Sequence, residues 1–155
     1  MNDEWKLPWE GGCRCGQTRV RITAPPLLAS ACHCAGCQRM TASAFSLSIA
    51  VPAQGFEVIL GEPVIGGLHG PTRHFFCARC LSWMFTRPAG MDAFVNVRAS
   101  VLDDHAWFAP YVEFWTSEKL PWATTPSKRS YAREPEFAEF ETLLRGYAQE
   151  GARPR

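Results

Sequence analysis

The sequence predicts a mainly β fold with a C-terminal helix. Three observations carry that reading: short alternating apolar runs spread over residues 17–99, seven cysteines gathered into three clusters, and one stretch of helical periodicity near the end of the chain. "QTRVRIT" (17–23) alternates with Val20 and Ile22 on one face, and reads as a strand running out of the first cysteine pair until "APP" stops it. "SAFSLSIAV" (43–51) alternates through Phe45, Leu47, Ile49 and Val51, and "FEVILG" (56–61) adds a shorter strand closed by Gly61 and Pro63. "RHFFCARC" (73–80) and "SWMFTRP" (82–88) read as strands on either side of a cysteine knuckle, followed by "AFVNVRA" (93–99). Strands in this close succession suggest an antiparallel meander. Only residues 135–149 look helical, with Pro135 in the first turn and Phe137, Phe140, Leu143, Leu144 and Tyr147 along one face before Gly151, a helix expected to pack as a terminal lid. "LPWATTPSKRS" (120–130) is the longest predicted loop.

A chain of 155 residues that is 46% hydrophobic can bury one adequate core, so residues 1–155 are expected to form a single domain. Sixteen Lys and Arg against fifteen Asp and Glu give a formal charge of +1, too weak a field to gather nucleic acid or an acidic membrane surface. Small-molecule partners are favoured. "MNDEWKLPWEGG" lacks the basic start and apolar run of a secretory signal, and no apolar stretch reaches the ~18 residues of a membrane span. The expectation is a cytoplasmic protein. Reducing conditions there would not sustain disulfides, and seven thiols would leave one over in any case, so the clusters point to metal. Sulfur donors select zinc, copper(I) or iron–sulfur clusters, and zinc alone requires no assembly or redox partner.

The cysteines fall as Cys13-x-Cys15, Cys32-x-Cys34-x-x-Cys37 and Cys77-x-x-Cys80. In a strand, side chains at i and i+2 share a face, so Cys13 and Cys15 can grip one ion, while Cys77 and Cys80 suit a knuckle at a hairpin tip. Two plus two closes a tetrahedral site. Cys32, Cys34 and Cys37 then form a second set of three, the form of a catalytic zinc with one open position. A rival allocation joins Cys34 and Cys37 to Cys77 and Cys80 as a zinc ribbon. Spacing leaves it open, although residues 38–76 separate the two knuckles where a ribbon usually has ~15–20, and Cys13, Cys15 and Cys32 would be left without a task.

Four segments in order, "GGCRCGQTRVRI", "CHCAGCQRMTASAF", "FFCARC" and "VEFWTSEKLPWA", resemble the glutathione-dependent formaldehyde-activating enzyme (CENP-V/GFA) family over about residues 10–125. The resemblance implies a zinc-bearing, mostly antiparallel fold of the Mss4-like type. It implies a structural zinc on Cys13, Cys15, Cys77 and Cys80 and a catalytic zinc on Cys32, Cys34 and Cys37. It also implies a carbon–sulfur lyase reaction that forms or breaks S-hydroxymethylglutathione, with glutathione and formaldehyde as the thiol and the aldehyde. The chain departs from the family pattern at Leu81 and at Thr41-Ala42, where the family tends to carry glycine. Glycine supplies positive φ or close backbone approach, so the knuckle turn and the pocket floor are where differences are expected.

Three thiolates on zinc leave the complex with formal charge −1, which weakens it as a Lewis acid toward a neutral carbonyl and suits it better to holding a deprotonated thiol. His33, between two ligand positions, is expected to point away from the metal and serve as a hydrogen-bonding support. Arg39 is a candidate for attracting a substrate carboxylate, with a solvated turn arginine as the plainer reading. Trp115, Ser117, Lys119, Pro121 and Trp122 are candidate pocket walls or simply caps on a β core. His69, His74 and His105 have no spacing that ties them to either cysteine set. Competing functions are a zinc-stabilised binding module without catalysis and a thiol redox sensor.

Overall fold

The structure, a computed structural model, describes residues 4–155. The reading of the N-terminus as no secretory signal begins on residues 1–3, which lie outside the described residues. The strands are β1 (Trp9–Gly12), β2 (Arg19–Ile22), β3 (Leu28–Cys32), β4 (Ser46–Pro52), β5 (Phe56–Leu60), β6 (Val64–Gly66), β7 (Arg73–Phe76), β8 (Trp83–Arg87), β9 (Phe94–Arg98), β10 (Val112–Phe114) and β11 (Arg129–Ser130). Helix α1 (Ala35–Thr41) lies between β3 and β4, and α2 (Phe137–Glu150) ends the fold. Among the described residues no helix is long and apolar enough to cross a membrane.

The strands form two sheets, one of three strands in the order β1-β2-β5 and one of eight in the order β11-β10-β3-β4-β9-β8-β7-β6. The mainly β reading with a C-terminal helix holds. The pairing is antiparallel except at β10, which pairs in parallel with β3 and with β11. Val20 and Ile22 meet Ile49, Val51, Val95, Val97 and Phe85 in one core. The register explains this side of the large sheet: Ile49 lies opposite Val97, and Val97 opposite Phe85, so β-branched and aromatic side chains stack across three strands on one face. Phe85 stacks on Phe75 and meets Phe56 edge-on, each with ring centroids 4.7 Å apart. Gly11 bridges to Leu102 so closely that a side chain there would strike the Val101 carbonyl.

Several elements depart from the sequence reading, and the meander is confined to β6–β9, since β5 pairs with β2 in one sheet while β4 lies between β3 and β9 in the other. Residues 135–149 are not the only helix, because α1 occupies seven residues directly after Cys34, too short for a 3.6-residue period to be seen. β1, β3, β6, β10 and β11 were not expected. "LASAC" lacks β-branched residues, and β10 and β11 are held by parallel partners far away in sequence. Pro135 lies before α2 rather than in its first turn, and the helix starts on a capping arrangement in which the Glu136 N–H donates to Glu139 Oε2 at 3.0 Å. Of the apolar face proposed for that helix, Leu143 and Tyr147 are buried against the core, whereas Phe137 is 90% exposed.

Leu81 (φ 59°) and Ala42 (φ 50°) both adopt the left-handed conformation, although neither is glycine. That conformation costs a non-glycine residue about 1–2 kcal/mol, offset in part by the ~0.5–1 kcal/mol of extra chain entropy that a glycine must lose on folding. Both side chains are exposed, so little packing is lost by their removal. Leu81→Gly and Ala42→Gly are each expected to raise the thermal unfolding temperature by about 1–3 °C. A fall in either variant, measured by calorimetry on zinc-loaded protein, would contradict the strain.

Candidate metal centres and the cavity between them

Two hairpin tips build the first sulfur group. Cys13 and Cys15 lie in the turn between β1 and β2, not within a strand as their i, i+2 spacing suggested; the turn is closed by Cys13 N–H donating to Thr18 O at 3.0 Å and by Gly16 at φ 79°. Cys77 and Cys80 form the expected knuckle between β7 and β8, closed by Leu81 N–H to Cys77 O at 3.0 Å. The four sulfurs lie within 4.8 Å of one another, with Cys13 to Cys15 at 3.5 Å and Cys15 to Cys77 at 3.8 Å. A tetrahedral ion with Zn–S bonds of about 2.3 Å needs sulfurs about 3.8 Å apart, so the donor set fits zinc. Neighbouring donors favour ionised sulfur at two of the four: the Ser82 hydroxyl, 3.2 Å from Cys80 Sγ, leads the contacts that draw Cys80 down to about 5, and Thr18 leads those that draw Cys77 to about 7. Cys15, although drawn down by a backbone contact at Gln17, is pushed up to about 11 by burial and the neighbouring sulfurs together.

Cys32, Cys34 and Cys37 form the second group, their sulfurs also within 4.8 Å of one another. The ribbon allocation joining Cys34 and Cys37 to Cys77 and Cys80 does not occur among the described residues. Cys32 ends β3. Cys34 is the N-cap of α1, and its sulfur accepts from Cys37 N–H at 3.3 Å, so one helical turn fixes two of the three sulfurs. Three thiols this close share their protons unequally: contacts with Cys34 and Cys37 push the Cys32 thiol up, while contacts with Cys32 and Cys37 draw Cys34 down. Only a cation between them lets all three ionise together, and softness again fits zinc.

His33 points away from the sulfurs, as alternation along an extended segment requires, and is completely buried. Its Nε2 lies 2.7 Å from Glu113 Oε2 on β10, and Glu113 also accepts from Ser130 at 2.7 Å and Thr125 at 2.9 Å. Burial opposes the ionised carboxylate, but these three partners outweigh it and hold Glu113 below its ordinary range. A second brace comes from Glu118, whose carboxylate accepts from Ala35 N–H at 2.6 Å at the start of α1. Gln38 ties the same helix to the His33 and Glu118 carbonyls at 2.8 and 2.9 Å. Of the candidate wall segment "FWTSEKLPWA", Glu118 makes the contact with α1, whereas Trp122 is 73% exposed beside α1 and Arg39 is exposed near it. His74 Nδ1 bonds Thr86 Oγ1 at 2.9 Å and His105 Nδ1 bonds Leu102 O at 2.7 Å, so neither joins a sulfur group.

The face of the eight-stranded sheet turned away from the core is polar yet buried. Cys32 lies opposite Ser46, Ser48 opposite Arg98, and Asn96 opposite Thr86. Ser46, Ser48, Thr86 and Arg98 are all at most 7% exposed. Alternating serines such as those in "SAFSLSIAV" normally mark a solvated face, and here they are covered. A cavity of about 500 Å³ opens beside the first sulfur group, bounded by Cys13 and Ser82, by Met40 and Thr41 of α1, and by Ser46, Trp83 and Arg98; Cys32, Cys34 and Cys37 are not among its lining residues. That volume lies within the ~300–1,000 Å³ usual for small-molecule sites.

The family profile described as glutathione-dependent formaldehyde-activating enzyme matches residues 8–118, and the chain belongs to that family. No curated protein matches the sequence significantly. Among solved structures, the chain is similar to a Rhodobacter sphaeroides protein determined as a structural-genomics target, with 18% sequence identity, a TM-score of 0.52, and coverage of 61% of this chain and 87% of that one. That likeness concerns the fold.

The Glu113 network predicts its own test. Glu113→Gln keeps the shape but exchanges a charged acceptor with three partners for a neutral amide. It is expected to destabilise the zinc-loaded protein by about 1–3 kcal/mol in urea unfolding at neutral pH. An unchanged midpoint would show that His33 and Glu113 do not brace the Cys32–Cys34 segment.

Proposed function

We propose that this member of the family is a zinc-dependent carbon–sulfur lyase that forms or cleaves thiol–aldehyde adducts, with glutathione and formaldehyde as the pair the family name indicates. The observation that carries the proposal is the second sulfur group: three cysteines, braced on both sides by Glu113 and Glu118, with no fourth ligand of the usual metal-binding types grouped with them among the described residues. A protein needing zinc only for stability is served by the four-sulfur group alone. In this reading Cys13, Cys15, Cys77 and Cys80 hold a structural zinc and Cys32, Cys34 and Cys37 hold the catalytic one. A reducing cytoplasm keeps all seven thiols available for metal.

Bound zinc supplies a position at which a thiol loses its proton readily. The protein's own contribution is placement. The α1 cap fixes Cys34 and Cys37 relative to Cys32, and the cavity bordered by Met40 and Thr41 of the same helix offers one volume for the thiol and the aldehyde, which raises their effective concentration. In the adduct-forming direction a carbon–sulfur bond forms at the carbonyl carbon, the carbon–oxygen π bond breaks, and the proton from the thiol ends on the new hydroxyl. The reverse direction returns thiol and aldehyde.

The test is metal content and turnover on three proteins. Wild type is expected to hold two zinc ions per chain by elemental analysis, one for each sulfur group. Cys34→Ser is expected to hold one, stay folded and lose adduct turnover, followed by NMR with labelled formaldehyde and glutathione. Cys77→Ser is expected to unfold or to be strongly destabilised, because the metal's binding energy there is folding energy. One zinc in both wild type and Cys34→Ser, with no turnover in either, would leave a zinc-held binding module in place of an enzyme.

A further inference from the structure

We propose that Arg98, stacked on Trp83 in the cavity bordered by α1 and Cys13, binds a carboxylate of the thiol substrate and so makes the site selective for anionic thiols. This rests on the lyase reading for the thiol and adds the residue that would choose among thiols.

Arg98 is 7% exposed. Its guanidinium lies 4.1 Å from the centroid of the Trp83 ring, a stacked arrangement that fixes the plane of the fork. Its Nε has no hydrogen-bond partner, and the one hydrogen bond the side chain makes, from an NH₂ group to Asn96 O, is long at 3.4 Å. Among the described residues no carboxylate pairs with it, whereas Arg19, Arg21, Arg145 and Arg153 each have one. A buried arginine with five donors and one weak acceptor is costly unless something else supplies the acceptors. Burial lowers its basicity to about 10, which leaves it charged at neutral pH.

Its position fits a ligand better than a structural role. Arg98 lines the cavity, as does Ser46, whose hydroxyl lies beside the Cys37 sulfur. From the strand register, Cys32 and Arg98 sit two strands and two residues apart on one sheet face, so their Cα atoms are about 12 Å from each other. A small thiol carrying a carboxylate at its far end spans such a gap when its sulfur is at the cysteines. Arg39, the arginine that sequence alone suggests for this task, is exposed on α1.

The experiment compares zinc-loaded wild type with Arg98→Met and Arg98→Lys, using calorimetric titration with three probes. These are glutathione, S-methylglutathione, which keeps the carboxylates and blocks the sulfur, and glutathione diethyl ester, which keeps the sulfur and masks the carboxylates. Charged hydrogen bonds are worth about 1.5–3 kcal/mol. Wild type is therefore expected to bind glutathione roughly 10- to 100-fold more tightly than the diester. Arg98→Met is expected to bring the two affinities within about threefold of each other, leaving the diester affinity and the zinc content unchanged, and Arg98→Lys to recover part of the preference.

Thermal unfolding separates a packing role from this one. Removing an unpaired buried cation in favour of an apolar chain of similar length is expected to leave the unfolding temperature level or raise it, where loss of a structural arginine would lower it. A wild-type protein that does not distinguish glutathione from its diester, or an Arg98→Met protein that still does, overturns the carboxylate assignment while thiol binding stands. Binding of S-methylglutathione that depends on Arg98, with no binding of the diester to any of the three proteins, supports the carboxylate site and rejects the thiol reading. Absence of all binding to wild type overturns both.

Discussion

Four sulfurs meet where hairpin tips of the two sheets converge, and much else in the architecture follows from that junction. Cys13 and Cys15 belong to the tip of the three-stranded sheet, Cys77 and Cys80 to a tip of the eight-stranded one. The hydrophobic core between the sheets is non-directional: it favours their contact but sets neither the angle nor the register of one against the other. A tetrahedral ion held by these cysteines would set them, because it would fix four sulfur positions to a few tenths of an ångström. The Arg19–Asp103 pair, with two bonds of 2.9 and 2.6 Å, and the close approach of Gly11 to Val101 and Leu102 add further directional contacts along the same side. The exposed ion pair is worth ~0–1 kcal/mol by itself, so its role is alignment more than stability.

With the sheets fixed in this way, the large sheet has two buried faces of opposite character. One carries Ile49, Val51, Val95 and Val97 into the core; the other carries Cys32, Ser46, Ser48, Arg98 and Thr86 toward the cavity side. A buried polar face costs free energy unless it is paired, and this one is paired unevenly. Thr86 is satisfied by His74 and by Trp83 Nε1 at 3.2 Å, while Arg98 has one long bond to Asn96 O and an unpartnered Nε. The register shift between β7 and β8 at Phe75 and Phe76 sets Trp83 opposite Phe76, where its ring meets His74 and Arg98. Irregularities of this kind re-aim a side chain, and here the re-aimed side chain borders the cavity.

Much of this was legible in the sequence, and what was not has physical reasons. Cysteine spacing carries chemistry directly, so both sulfur groups could be read before any coordinates, and the strands with β-branched alternation could be read with them. α1 escaped because seven residues show no period, and β3 because "LASAC" has little β propensity and is held by neighbours on both sides. The bracing by Glu113 and Glu118 joins residues about 80 positions apart, a separation that no local pattern reveals. Arg98 sits in an ordinary strand motif, "VNVRA", where an arginine at an alternate position reads as solvated. Its burial follows from what covers that face: Met40 of α1 borders the same cavity, and the backbone at Gly67 lies against Met40.

Charge balance relates these pieces to one another. With a divalent ion, three thiolates leave the second sulfur group at −1. Glu113, behind the Cys32–Cys34 segment, is held below its ordinary range against burial by Ser130, then by His33 and Thr125. Arg98 lies on the other side, close enough that Cys37 and Cys32 raise its basicity against the effect of burial. The cavity is therefore bordered on one side by the helix that carries Cys37 and holds a buried positive group on another. A thiol with a remote carboxylate places its anionic end against the cation. The same arrangement disfavours a ligand held the other way round, with its carboxylate against the thiolates, so the polarity of the site selects an orientation as well as a ligand class.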